Sequence, residues 1–131
     1  MRNYFLFFPL IFLLFSCSES SNLKFNGSDI TEARLDSSFA LTSHLGKSTN
    51  IEDFNGKVVA VFFGFTHCPD ICPTTLYELK AIKDRLGSDG DMLQVVFVSL
   101  DPDRDSIELL EKFIPSFDSS FIGLTGTAAD I

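Results

Sequence analysis

Val58-Val59-Ala60-Val61-Phe62-Phe63-Gly64-Phe65-Thr66-His67-Cys68-Pro69-Asp70-Ile71-Cys72-Pro73 is the stretch on which the reading of this chain turns. Its opening, Val58 to Phe63, is a continuous apolar run without polar alternation, the pattern of a central strand buried on both faces. Asn55-Gly56-Lys57 before it is a turn signal. After it, Leu76, Leu79, Ile82 and Leu86 recur at helical spacing until Gly87 stops the run. Cys72 therefore stands at a helix start. Pro73 suits the first helical position, where its missing N–H is no loss, and Thr75 with Glu78 has capping-box spacing one turn further in.

Working outward, Phe39 to Thr42 and Ser48 to Ile51 flank a Gly46-Lys47 turn and predict an N-terminal hairpin, with His44 exposed in its turn. Leu93 to Leu100 predicts a second buried strand, Asp101 to Asp105 a loop, and Ser106 to Ile114 a short amphipathic helix ended by Pro115. Phe121 to Leu124 is a third short strand. Strands separated by helices of this length imply βαβ crossovers, hence an α/β fold with a parallel or mixed sheet. A strand running into a two-cysteine loop and then a helix is the thioredoxin-like arrangement, with both sulfurs at the positive end of the helix. Thr127 and Asp130 have the spacing of a helix opening that Ile131 cuts short. This predicts a frayed terminus and a thioredoxin-like fold incomplete at the C-terminus.

Residues 1–16 read as an export signal: Arg2 is the positive region, Tyr4 to Phe15 an apolar run, and Leu14-Phe15-Ser16-Cys17 resembles a lipobox. The run is shorter than the roughly 20 residues that span a bilayer. Lipidation of Cys17 is the expectation, with an ordinary cleaved signal as the plainer alternative; residues 17–38 form the tether and lead-in, and 39–131 the folded domain. The formal charge of −8, without a basic stripe, excludes nucleic acid as a partner.

With Cys17 assigned to lipid, Cys68 and Cys72 are the remaining pair in an exported, oxidising setting. A structural disulfide between them would close a loop of only about four residues and constrain the unfolded chain little, so redox or metal chemistry is favoured. Their C-x-x-x-C spacing differs from the C-x-x-C of dithiol oxidoreductases. Two soft thiolates suit Cu(I), and Cu(II) if a nitrogen joins, whereas structural zinc wants four ligands. His67 adjoins Cys68, but neighbouring side chains leave a strand end on opposite faces, so local hydrogen bonding is expected of it rather than ligation.

Three blocks, Phe63-Gly64-Phe65-Thr66-His67-Cys68-Pro69-Asp70-Ile71-Cys72-Pro73-Thr74-Thr75-Leu76, Val98-Ser99-Leu100-Asp101-Pro102-Asp103-Arg104-Asp105 and Phe121-Ile122-Gly123-Leu124-Thr125-Gly126, together with Gly56-Lys57-Val58-Val59, closely resemble the SCO/SenC family from about Phe39 to Ile131. The resemblance implies a membrane-held, thioredoxin-fold copper protein that helps load the binuclear copper centre of cytochrome c oxidase. Cys68 and Cys72 match its two thiolate ligands. Its third ligand is a histidine downstream of the Phe121 to Gly126 segment, beyond Ile131. Asp101 matches the first aspartate of the family's D-P-x-x-D block, near the metal loop, where it would orient the ligands or shape their electrostatics; simple turn formation and capping is the alternative.

Three functions compete on these residues. One is a copper chaperone that holds Cu(I) or Cu(II) and passes it by ligand exchange to the oxidase's copper-centre subunit, without catalytic turnover. Another is a thiol:disulfide oxidoreductase that reduces that subunit's cysteines through the same pair. The last is a truncated product that has lost function. The implied location is the bacterial cell envelope, lipid-anchored on the periplasmic side of the cytoplasmic membrane, with the outer membrane as the alternative.

Overall fold

The computed structural model describes residues 26–30 and 39–131. The leader, Cys17 and most of the tether lie outside the described residues. The chain divides into residues 1–35, of which only the exposed 26–30 are described, and residues 36–131, which carry the fold.

That unit runs β1 (Ala40–Ser43), β2 (Ser48–Asn50), β3 (Val58–Gly64), α1 (Ile71–Leu86), β4 (Leu93–Ser99), α2 (Ile107–Phe113) and β5 (Ile122–Thr125). The sheet order is β2-β1-β5-β4-β3. β3, β4 and β5 are mutually parallel, joined by the α1 and α2 crossovers, while β1 runs antiparallel to both β5 and β2. This is the expected α/β architecture with its N-terminal hairpin. Ile51 opens a short 3-10 turn rather than continuing β2.

The strand buried on both faces is β4, not β3, which lies at the edge of the sheet. Gln94 through Ser99 are all buried, because β4 has a ladder on each side and apolar cover on each face. Val95 and Phe97 pack with Leu76 of α1, Leu110 of α2, Ile114, Phe117 and Phe121; Val96 and Val98 pack on the opposite face with Leu41, Phe54 and Leu124. Among the described residues β3 pairs only with β4, in register from Val58 opposite Leu93 to Gly64 opposite Ser99. Ala60 and Phe62 face the helices, whereas Val58, Val61 and Phe63 are exposed. An unbroken apolar run marks a strand but carries no information about how many neighbours it has, which is why the expectation for β3 failed.

Two local readings also change. His44 is buried, 4% exposed, because the pairing of β1 with β5 lays it against Gly123: its amide donates to the Gly123 carbonyl at 2.8 Å and its Nδ1 accepts from the Gly123 amide at 3.1 Å. The hairpin turn is closed by the Gly46 amide donating to the Ser43 carbonyl at 2.8 Å, with His44 and Leu45 at its centre and Gly46 at φ 72°, a left-handed conformation suited to glycine. The segment after β5 forms a single closed turn. The Thr127 amide and hydroxyl both donate to Asp130, and Ile131 packs against the second-face cluster.

Candidate metal centre

β3 ends at Gly64, and the loop that follows carries Thr66, His67 and Cys68 past the C-terminal ends of the parallel strands into α1. α1 begins at Ile71, with Asp70 as its cap residue, so Cys72 lies in the first turn and the Thr75–Glu78 spacing falls inside the helix body. Asp70 makes no side-chain capping bond. Instead the Cys72 amide donates to Cys68 Sγ at 3.4 Å, so a sulfur does the work of a helix cap.

This arrangement makes the two thiols unequal. The backbone N–H of Cys72, then that of Asp70, holds the Cys68 thiol below its ordinary pKa, because both favour the thiolate. Burial is the main influence pushing Cys72 up, with the neighbouring Cys68 and the charge of Asp105 adding to it. Cys68 is partly exposed, Cys72 is buried, and both are free thiols. The more acidic of the two thiols is thus also the more accessible one.

Beneath the loop lies Asp105, which sequence reasoning did not single out. Its side chain is fully buried and accepts from the Thr66 amide at 2.9 Å, the Thr66 hydroxyl at 2.5 Å and the Ser99 hydroxyl at 2.6 Å. Half-exposed His67 turns Nδ1 inward, 3.6 Å from Asp105 Oδ1 and 3.1 Å from Thr66 Oγ1. Because the Thr66 hydroxyl directs its proton to Asp105, His67 Nδ1 is the donor in the contact with Thr66. The expected local hydrogen bonding of His67 is thus present.

Asp101 is less enclosed. Its carboxylate pairs with the Arg104 guanidinium, which holds it below the usual carboxylate range, and its carbonyl accepts from the amides of Arg104 and Asp105. The turn that Asp101 closes brings Asp105 under the loop. Among the described residues no group of three or more His, Cys, Asp or Glu side chains could hold a metal ion, so Cys68 and Cys72 supply two donors. Two thiolates fit linear Cu(I) and fall short of a four-ligand zinc site.

A parallel-stranded sheet with helical crossovers and two thiols at the strand-to-helix junction defines a thioredoxin-like domain of the thiol- or metal-handling kind. The SCO1/SenC family model matches residues 27–131, and the chain belongs to that family. It is 36% identical over 95 residues to the human mitochondrial protein SCO1 homolog, a match covering 71% of this chain and 32% of the human one. Bradyrhizobium japonicum ScoI, solved with copper bound, superposes with a TM-score of 0.67 at 39% identity, covering 71% of this chain and 59% of that one. BsSco, a member of the Sco family of cytochrome c oxidase assembly proteins in which a disulfide switch was identified, superposes with a TM-score of 0.59 at 25% identity, covering 70% and 56%. The matched segment thus spans about a third of the human relative's length.

Proposed function

We propose that this chain binds copper through Cys68 and Cys72 and delivers it to the binuclear copper centre of cytochrome c oxidase during assembly, acting as a chaperone without turnover. The observation that carries the reading is the pair of free thiols at the start of α1, with Cys68 Sγ receiving the helix amide, in a family with a solved copper-bound member. Cys68, the more acidic and more exposed thiol, meets the ion first, and the buried Cys72 gives up its proton less easily as the second ligand. Exposure of Cys68 leaves an approach for an incoming thiolate, so transfer proceeds by ligand exchange. A histidine beyond Ile131 would complete the set for Cu(II), and Asp101 would act beside the loop through charge.

The same reading places the protein in the bacterial envelope, anchored by lipid on Cys17 at the periplasmic face of the cytoplasmic membrane. Incorporation of labelled palmitate that is lost in Cys17→Ser tests the anchor.

A thiol:disulfide role is the second reading, favoured by the unequal thiols, since a depressed Cys68 is the attacking sulfur such exchange needs. One experiment separates the two. Copper-loaded chain is mixed anaerobically with the reduced apo copper-centre domain of the oxidase subunit. Appearance of metal in that domain supports the chaperone. Reduction of the same domain in its disulfide form, without metal transfer, supports the oxidoreductase.

A further inference from the structure

A buried carboxylate is costly unless hydrogen bonds satisfy it, and removing it strands the buried donors that it accepted from. Asp105 is fully buried; its carboxylate accepts hydrogen bonds from two residues, Thr66 and Ser99, and faces His67 Nδ1 at 3.6 Å. Thr66 stands two positions before Cys68, and Ser99 is the last residue of β4. Asp105 itself precedes Ser106, the N-cap of α2, whose hydroxyl accepts from the Leu109 amide. One carboxylate therefore ties the cysteine loop to the end of β4 and to the start of the second helix. The Leu100 amide donating to the Gly64 carbonyl at 2.8 Å closes the same corner from the backbone side. Among the described residues, no side chain from outside the loop other than that of Asp105 bonds to Thr66 or His67.

We infer that Asp105 is the positioning residue of the two-sulfur site: by holding the amide and hydroxyl of Thr66 against the end of β4, its carboxylate sets where Cys68 stands relative to Cys72. This rests on the proposal that the pair binds copper, and it adds a residue that touches neither sulfur. Its negative charge lies on the protein side of the pair, where it favours a bound cation over the empty dithiolate. Asparagine in its place keeps the volume but loses the charge and exchanges one acceptor oxygen for a donor NH2, so the Thr66 amide, the Thr66 hydroxyl and the Ser99 hydroxyl cannot all keep it as their acceptor.

The test uses the full chain with Cys17→Ser, so that Cys68 and Cys72 are the remaining thiols, and compares Asp105→Asn, Thr66→Val and, as a control for lost negative charge, Asp84→Asn. Two quantities are read: Cu(I) affinity against a competing chelator, and the equilibrium of the Cys68–Cys72 disulfide against a glutathione redox pair. Far-UV circular dichroism checks folding, and if Asp105→Asn does not fold, Thr66→Val, which removes only the hydroxyl, decides. The expected result is a loss of about ten- to a hundredfold in Cu(I) affinity for Asp105→Asn. A smaller loss in Thr66→Val and no change in Asp84→Asn accompany it, and the disulfide equilibrium moves toward the dithiol. Folded Asp105→Asn and Thr66→Val chains that match the parent in both quantities overturn the inference. If the parent itself does not bind Cu(I), the copper reading fails alone, and the disulfide equilibrium still decides the position of Asp105: a shift supports it, and no shift overturns it.

Discussion

Gly64 approaches Cys72 so closely that a Cβ at this position would stand 2.9 Å from the Cys72 sulfur and 2.9 Å from the Phe97 ring. The last residue of β3 is thus the floor on which the buried thiol rests. Its glycine is required by contact and not by backbone conformation, since its φ is not positive. Gly64→Ala has to displace the sulfur or the ring, a form of overpacking that costs about 1–3 kcal/mol. Urea unfolding should show that loss, and chelator competition should show weaker Cu(I) binding. An alanine variant as stable as the parent would mean that Cys72 is free to move.

The unequal thiols predict a two-step alkylation profile. Cys68 should react with iodoacetamide at a pH below the ordinary thiol value of about 8.5, and Cys72 above it. For stability the signs oppose each other. The lowered Cys68 contributes stabilisation that is present above the unfolded thiol pKa and is lost as pH falls through its folded value. The raised Cys72 contributes stabilisation that is present below the unfolded pKa and is lost as pH rises through its folded value. Mass spectrometry of chains quenched across the pH range assigns each step.

Copper binding should carry the same imprint. Where both thiols are protonated, each ion bound releases two protons, so apparent Cu(I) affinity rises about a hundredfold per pH unit. Above the lowered Cys68 pKa only Cys72 still holds a proton, and the slope falls to about tenfold per unit. Competition titrations at a series of pH values read both slopes; a pH-independent affinity would exclude the pair as the ligands.

The two phenylalanines Phe97 and Phe63 make the position of β3 testable. Phe97 is fully buried between the rings of Phe62 and Phe113, and Phe97→Ala should cost about 3–5 kcal/mol. Phe63, 58% exposed, should cost within about 0.5 kcal/mol when changed to alanine. Equal losses in denaturant melts would mean that the Phe63 face of β3 is covered, contrary to the edge position of the strand.

His44 should prove structural. His44→Leu leaves the Gly123 amide without its side-chain acceptor at the buried junction of β1 and β5, a loss of about 1–3 kcal/mol in unfolding free energy. Cu(I) affinity in the folded variant should not change.

Much of this was legible in the sequence, and the reasons differ by element. The helix after Cys72 was readable because leucines at helical spacing end at Gly87, and the Ser106 helix because its cap and its proline stop both stand in the chain. The position of Cys68 and Cys72 at the start of α1 was readable because the strand run before them and the helical spacing after them are both local. What failed was long-range. The burial of His44 depends on Gly123, 79 residues away, and the satisfaction of Asp105 depends on Thr66, 39 residues away. Neither the edge position of β3 nor the choice of Asp105 over Asp101 as the buried carboxylate follows from residue type. Asp101 and Asp105 flank one turn, and only packing against the end of β4 decides which is enclosed.

The most direct test of the account is an anaerobic Cu(I) titration of the full chain with Cys17→Ser against a competing chelator, beside the same chain carrying Cys68→Ala and Cys72→Ala. The account predicts one ion bound tightly per chain and no competition by the double variant. A folded parent with two titratable thiols that cannot take Cu(I) from the chelator would contradict it.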